Sequence, residues 1–223
     1  MTSVAFLCSA SVLALAASSA LAGAHPALAA KPTNLHPFHV PPGVLYNQNS
    51  NWGYAIDSQN FSDTYSAYSS AAADDFLIPA GYKWKITGVD VSGMYFNGSG
   101  PATSEAITFY TNKNGRPDKV KATFTLNCVD SGGSFACTLP EKGQGLSGGT
   151  RGKRYWLSFV ANCDFNTCGQ WGWYQNTITH NDPGQWENPA NGLGTGCTTW
   201  ANTSACIAGV ADDYAFDLKG KSR

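Results

Sequence analysis

Aromatic side chains concentrate in the last third of the sequence and are separated by amides and small residues. They are Trp171, Trp173, Tyr174, Trp186 and Trp200. Aromatic rings stack on the C–H faces of sugars, and nearby amides can hydrogen-bond to the hydroxyl groups. The pattern predicts a surface that binds a glycan or another extracellular ligand. The alternation around Trp171 and Trp173 also fits a core strand, so Trp186 and Trp200 are the preferred ligand-binding candidates.

Two similar acidic segments lie near the beginning and near the end of the predicted domain. Asp74 and Asp75 occur in Ala-Asp-Asp-Phe, and Asp212 and Asp213 occur in Ala-Asp-Asp-Tyr. If the two segments pair as adjacent antiparallel strands, their carboxylates would suit a structural calcium ion, because calcium prefers several oxygen ligands. The alternative is that each Asp pair begins a strand as turn residues. No other cofactor is predicted, because dinucleotide and phosphate-loop motifs are lacking.

Groups for catalysis are sparse, and no catalytic residue is assigned. A glycoside hydrolase needs two carboxyl groups, and Glu187, next to Trp186, is the glutamate that merits a test. A polysaccharide lyase would use His180 with a tyrosine, although His180 lies in a polar turn sequence. The sequence Gly145-Leu146-Ser147-Gly148-Gly149 fits a serine-hydrolase motif, but loop-like residues flank it where a strand and a helix are required. Non-catalytic binding is therefore predicted, with a secreted carbohydrate-active enzyme or a structural cell-surface component as alternatives.

The cysteines indicate an oxidising compartment. Apart from Cys8 near the start, six cysteines form three couples that are close in sequence. The spacing predicts the disulfides Cys128–Cys137, Cys163–Cys168 and Cys197–Cys206. A zinc site is the competing interpretation, but these spacings and the lack of a neighbouring histidine suit zinc poorly.

The N-terminal region predicts export. Residues 1–24 are rich in Ala, Leu and Ser and end in small-residue sites typical of a cleaved signal peptide, although Met-Thr-Ser supplies no basic residue. Residues 25–42 are predicted to form a proline-rich linker, and residues 43–223 a single domain. We expect a secreted protein with no membrane span after cleavage; the periplasm and the cell surface remain open as locations.

Charge excludes one class of partner. The 14 Lys and Arg residues are balanced by 15 Asp and Glu residues, which gives a formal net charge of −1. The basic residues are scattered apart from Lys219, Lys221 and Arg223 at the C-terminal end. Because nucleic-acid binding normally requires a basic surface, no nucleic-acid partner is predicted.

Short apolar or alternating runs separated by Gly, Asn, Asp and Pro predict an all-β fold. The runs are Val44–Tyr46, Asp75–Ile78, Lys83–Tyr95, Ala106–Tyr110, Ala122–Cys128, Tyr155–Val160, Gln170–Ile178 and Asp213–Leu218. A phase slip at Gly88 predicts a bulge, and the alternation between Ala122 and Cys128 predicts one solvated face. The predicted architecture is an antiparallel two-sheet β-sandwich or jelly roll, stapled by disulfides.

Several strand and turn segments resemble a loose group of secreted bacterial β-sandwich proteins, most of which have no known function. The segments are Ala73-Asp74-Asp75-Phe76 with Ile78-Pro79-Ala80-Gly81, Ile107-Thr108-Phe109-Tyr110 with Asn114-Gly115-Arg116-Pro117, Tyr155-Trp156-Leu157-Ser158, and Asp213-Tyr214-Ala215-Phe216-Asp217-Leu218. These segments span most of the predicted domain and contain no catalytic motif. The resemblance implies a fold and no activity.

Overall fold

The computed structural model describes residues 43–223. The predicted signal peptide and linker, residues 1–42, lie outside the described residues. Within the described part the chain is all-β, as predicted, with three short helical segments between the strands. None of these helical segments is long and apolar enough to cross a bilayer.

Most strands are short and are separated by turns. Their bounds are β1 Val44–Asn47, β2 Trp52–Asp57, β3 Gln59–Asn60, β4 Ala71–Ile78, β5 Lys83–Val91, β6 Gly93–Phe96, β7 Ser104–Lys113, β8 Arg116–Leu126, β9 Val129–Ser131, β10 Ser134–Thr138, β11 Gln144–Ser147, β12 Lys153–Asn162, β13 Gln170–Asn176, β14 Gln185–Glu187, β15 Ala201–Asn202 and β16 Phe216–Ser222. A 3₁₀ helix spans Asp63–Tyr68, and the helices α1 and α2 span Phe165–Cys168 and Thr203–Cys206.

These strands form three sheets: a seven-stranded sheet, called the large sheet, a six-stranded second sheet and a three-stranded small sheet. The large sheet has the order β15-β14-β4-β12-β7-β8, with β3 also pairing with β12. The second sheet has the order β1-β16-β5-β10-β9, with β11 also on β5, and the small sheet is β2-β13-β6. The pairings are antiparallel except that between β3 and β12. The predicted sandwich of two sheets therefore gains a third, smaller sheet.

A shared core joins the large sheet to the second sheet. Phe76 on β4 stacks on Trp84 of β5 with ring centroids 6.2 Å apart. Phe159 on β12 lies 5.4 Å from Phe135 of β10 by the same measure. The face of the large sheet that carries Phe76 and Phe159 is its inner face, and the opposite face is called the outer face below. Contact between inner-face side chains of two sheets is the packing of a β-sandwich.

The small sheet begins where the chain leaves β5 and bends into β6. A Cβ atom on Gly93 would lie 2.5 Å from the carbonyl oxygen of Gly172, so only glycine fits this crossing. Trp173 on β13 packs against Tyr214 with ring centroids 5.0 Å apart. Burial of β13 on both faces is the reason why the small sheet forms part of the core.

Three local predictions are confirmed. The register between β5 and β16 shifts beside Gly88, where the sequence predicts a bulge. On β8 the alternation holds, because Thr123 and Thr125 are exposed while Phe124 is half-buried against the core. The three disulfides join the couples predicted from sequence spacing.

Candidate functional site

The outer face of the large sheet carries aromatic and polar side chains. Register places Trp156 of β12 opposite Asp75 on β4 and opposite Tyr110 on β7. These three residues share the outer face, because the next residues, Phe76 and Tyr155, belong to the core on the inner face. The alternation of three strands thus gathers aromatic groups on a face that the main core does not use.

A disulfide-closed loop brings Trp200 to the outer face. The ring of Trp200 lies 6.0 Å from the ring of Tyr110 and nearly perpendicular to it, at 75°. The loop is closed by the disulfide Cys197–Cys206, and the carbonyl of Cys197 accepts a hydrogen bond from the N–H of Asn188 at 2.8 Å. Trp200 is half-buried, so part of its indole remains accessible to solvent.

Glu187 lies next to this aromatic pair. Burial raises the pKa of Glu187 to about 7, and the backbone N–H of Trp200 offsets part of that shift. The pKa of Tyr110 is also raised, first by burial and then by the nearby Glu187 carboxyl. Near neutral pH the Glu187 carboxyl can therefore either donate or accept a hydrogen bond. We define Trp200, Tyr110 and Glu187 as the aromatic–carboxyl cluster.

A shallow groove of about 260 Å³ lies on the same face, and it is lined in part by β4, the strand next to that of Glu187. Its apolar floor includes Ala71, which lies directly opposite Glu187 in the pairing of β4 with β14, and Ala106 of β7. Its polar walls include Asn60 and Asn162. An apolar floor between amide groups is suited to a sugar ring, whose faces are apolar and whose rim carries hydroxyl groups.

Three of the predicted ligand-binding tryptophans are instead core residues. Trp171, Trp173 and Trp186 each have 0% exposed surface. Their indole N–H groups donate to backbone carbonyls at 2.7–2.8 Å. The prediction that these three tryptophans contact a ligand is therefore wrong. Each ring is enclosed by the core, and each indole N–H is already bound to a backbone carbonyl. Of the predicted tryptophans, only Trp200 presents an accessible ring.

Tyr174 is also unavailable to a ligand over most of its surface. It is 8% exposed, and its ring stacks on Trp52 with centroids 5.4 Å apart. This pair belongs to the small sheet, because β13 pairs with β2. Tyr174 therefore packs within the domain and lies outside the aromatic–carboxyl cluster.

The two predicted Asp-Asp segments do not form adjacent strands. Asp74 and Asp75 lie on β4, which pairs with β12 and β14. The terminal strand β16 begins only at Phe216 and pairs with β1 and β5 in the other sheet. The predicted strand pairing is therefore wrong, because Asp74 and Asp75 lie within β4 whereas Asp212 and Asp213 precede β16 and lie in no strand.

The two segments nevertheless meet through a side chain. Asp74 accepts hydrogen bonds from the N–H of Tyr214 at 2.6 Å, from the Gln48 amide at 2.5 Å and from the N–H of Asp75 at 2.7 Å. Burial, followed by the nearby Asp213 and Asp75, raises the pKa of Asp74 well above its ordinary value. The hydrogen bond from Tyr214 fixes the chain that precedes β16 against β4.

Asp75 anchors a different partner on the outer face. Its Oδ2 atom lies 2.8 Å from Nε of Arg154 and accepts a hydrogen bond from the N–H of Asp182 at 3.3 Å. Burial raises the pKa of Asp75 to about 7, while the Arg154 guanidinium lowers it. Arg154 also pairs with the carboxylate of Asp182. The ion pairs hold the turn at Asp182 against β12.

The remaining two aspartates cap loops. Asp213 accepts hydrogen bonds from the N–H groups of His180 and Gly184, and burial raises its pKa to about 7. Asp212 accepts a hydrogen bond from the N–H of Ser204 at 2.8 Å. Residues 43–223 contain no group of three or more His, Cys, Asp or Glu side chains arranged to hold a metal. The calcium site at Asp74, Asp75, Asp212 and Asp213 stays a prediction.

His180, the lyase candidate, points to a carboxylate. Its Nδ1 atom lies 3.7 Å from Oδ2 of Asp213. The nearest tyrosine hydroxyl that the turn contacts is that of Tyr46, which accepts a hydrogen bond from Asn181 at 3.1 Å. Burial and nearby aspartates, first Asp74, raise the pKa of Tyr46 above its ordinary value. A tyrosinate base is therefore disfavoured beside His180.

Comparison of the chain with protein-family models, with curated proteins and with solved structures found no match. The resemblance to secreted bacterial β-sandwich proteins thus stays a prediction. Any assignment of function rests on the geometry of the chain itself.

Tyr110, Trp156 and Arg154 were not predicted from the sequence as residues of a functional site. A pattern that could have identified them is their position in the strands. Each alternates with residues of the main core, so each was bound to lie on the opposite face of the large sheet. Large side chains at strand positions that alternate with core residues are therefore the sequence feature that could have predicted these site residues.

Proposed function

We propose that this protein is a non-catalytic β-sandwich of an oxidising, extracellular environment that binds a glycan on the outer face of its large sheet. The observation that carries the proposal is the aromatic–carboxyl cluster beside the Ala-floored groove. Three disulfides support the environment, because such bonds persist mainly outside the reducing cytoplasm.

The cluster and the groove together offer an aromatic surface, a carboxyl group and amide groups for sugar recognition. The accessible part of Trp200 offers an aromatic surface for a pyranose ring, and Tyr110 fixes the orientation of that indole. Glu187 offers a carboxyl for a sugar hydroxyl, and the groove walls add amide groups. The disulfide Cys197–Cys206 limits the motion of the loop, which lowers the entropic cost of binding.

Binding is preferred over hydrolysis because Glu187 lacks a suitable partner. A glycosidase needs a second carboxyl about 5–10 Å from the first. Asp75, on the same face, has no exposed surface and is paired with Arg154. Glu187 is therefore proposed to orient a hydroxyl group.

A glycan array that includes plant and cell-wall polysaccharides tests the proposal. The disulfide-intact protein should bind, and Trp200→Ala should weaken binding roughly three- to tenfold, as expected for loss of one stacking contact. Tyr54→Ala is the matched control, because Tyr54 is an exposed aromatic residue on β2 of the small sheet. A blank array from folded protein, or equal binding by Trp200→Ala, would contradict the proposal.

The same array, repeated with EDTA, tests the calcium prediction separately. Loss of binding or of thermal stability with EDTA, restored by added calcium, would support a structural ion near the aspartates. Unchanged binding and stability would contradict the predicted calcium site and would not affect the glycan proposal.

A further inference from the structure

A second concave site lies at one edge of the sandwich, away from the groove. It is a cleft of about 700 Å³ between β5 and β11 of the second sheet and β8 and β12 of the large sheet. Its lining includes Trp84 and Leu146 on one side and Tyr155 on the other, and all three are nearly buried. The apolar walls belong to the core, so the shape of the cleft is fixed by the fold.

Four lysines line this cleft: Lys83, Lys85, Lys121 and Lys142. Within the described residues its lining contains no Asp or Glu, although the whole chain has a formal net charge of −1. Arg223 also lines the cleft. Folding thus concentrates positive charge that is dispersed along the chain.

The strand geometry explains why the lysines converge. Lys83 and Lys85 are two residues apart on β5, so they project from the same face of the strand, opposite to the face that carries the core residue Trp84. Their partners on β11 are Ser147 and Gly145, whose small side chains leave space above that face. Lys121 comes from β8 of the other sheet. Lysines from both sheets therefore line the cleft.

The lysines are free to bind an external anion. Lys83, Lys121 and Lys142 are exposed, and Lys85 is half-buried. In the part of the chain that the structure describes, none of the four forms an ion pair with a carboxylate. Charge of one sign along an apolar-walled cleft focuses the electrostatic field and attracts ligands of the opposite sign.

The walls of the cleft are also held in place. The hydroxyl of Tyr155 donates a hydrogen bond to the carbonyl of Ser147 at 3.0 Å, which joins the two sheets across the cleft. The ammonium of Lys153 lies 5.3 Å from the centre of the Tyr155 ring. A pre-formed cationic cleft needs little reorganisation to bind an anion.

We propose that this cleft binds an anionic polysaccharide through sulfate or carboxylate groups on successive sugars. The cleft is large enough for more than one sugar unit, and its lysines lie on both sides. Nucleic acid fits less well, because single strands bind partly by base stacking and the rings of Trp84 and Tyr155 are buried. This site is distinct from the proposed glycan site on the outer face.

Dextran sulfate and polygalacturonate are suitable probes, with dextran as the uncharged control. We expect both anionic polymers to bind the disulfide-intact protein at 50 mM salt and dextran not to bind. Binding should weaken at least about tenfold at 0.5 M salt, because exposed charge pairs are strongly screened. The variant Lys121→Glu with Lys142→Glu should bind about tenfold or more weakly at 50 mM salt.

The variant Lys113→Glu with Arg116→Glu is the matched control. Both residues are exposed at the turn between β7 and β8, outside the cleft, and the change in net charge is the same. Equal weakening by both double variants would overturn the proposal, as would no binding by the wild type. Tighter, cleft-dependent binding of a single-stranded polynucleotide would also overturn it. Loss of neutral-glycan binding in Trp200→Ala leaves this test unaffected, so the two proposals fail separately.

Discussion

Asp57 allows a quantitative test of the buried polar interior. It ends β2, has 0% exposed surface, and lies opposite Gly172 of β13. Neither carboxyl oxygen forms a hydrogen bond of normal geometry within the described residues. Burial raises the pKa of Asp57 to about 8, although the side chains of Gln170 and Ser70 lower it in part. The carboxyl is therefore mostly protonated at neutral pH.

The sign of the pH effect follows from the two pKa values. The folded pKa of about 8 exceeds the ordinary value of 3.8, so the folded protein holds the Asp57 proton more tightly than the unfolded chain. The stability contribution is complete below pH 4 and is lost as the pH rises towards 8. At about 1.4 kcal/mol per pH unit, the loss between pH 5 and pH 8 is about 4 kcal/mol.

The substitution Asp57→Asn removes the titration while keeping the shape of the side chain. We expect the free energy of unfolding of the variant, relative to wild type, to rise by about 4 kcal/mol from pH 5 to pH 8. Urea unfolding at four pH values between these limits measures the difference. Glu141→Gln, at an exposed loop position, is the control and should follow wild type. A constant difference between Asp57→Asn and wild type across this range would refute the argument.

Two further perturbations test the scaffold around the site. Arg154→Met should destabilise the fold by about 2 kcal/mol, because it leaves the buried Asp75 unpaired. The pKa of Asp75 is about 7, and Arg154 lowers it. The loss of unfolding free energy, measured in urea, should therefore be larger at pH 8, where Asp75 is more ionised, than at pH 6. Replacing Cys128 and Cys137 by serine should cost about 2.5 kcal/mol, as expected for opening a loop with a sequence separation of 9; an unchanged thermal midpoint would contradict this.

Local sequence patterns predicted the local features well. The alternation on β8 and the slip at Gly88 each depend on one strand and its immediate neighbour, and both were confirmed. The disulfide pairs were also predictable, because each closes a short loop. Features that depend on a few adjacent residues leave their pattern in the sequence.

The tryptophans show why the site was harder to predict. Trp171 and Trp173 lie on a strand whose polar residues are also buried, because distant backbone groups satisfy them. Asn176, for example, donates a hydrogen bond to the carbonyl of Gln48 at 2.8 Å. An amphipathic pattern then no longer distinguishes core from surface. The half-buried ring of Trp200 meets Tyr110 only through long-range packing, which sequence spacing does not encode.

The lysine-lined cleft was not predictable for a related reason. Its cationic residues come from β5, β8 and the turn before β11, which are separated by long stretches of sequence. Scattered basic residues suggested a surface without an electrostatic feature. The fold brings four of them to one edge, so charge counting along the chain underestimated the local field.

Hydrogen exchange of the wild-type protein, with and without the tightest-binding neutral glycan from the array, tests whether a glycan binds on the outer face of the large sheet. We expect slower exchange in β7, in β14 and in the loop between Cys197 and Cys206, with β2 and β13 unchanged. Those segments contain the aromatic–carboxyl cluster, and the unchanged strands contain the buried tryptophans. Protection confined to the small sheet or to the lysine-lined cleft would contradict a glycan site on the outer face.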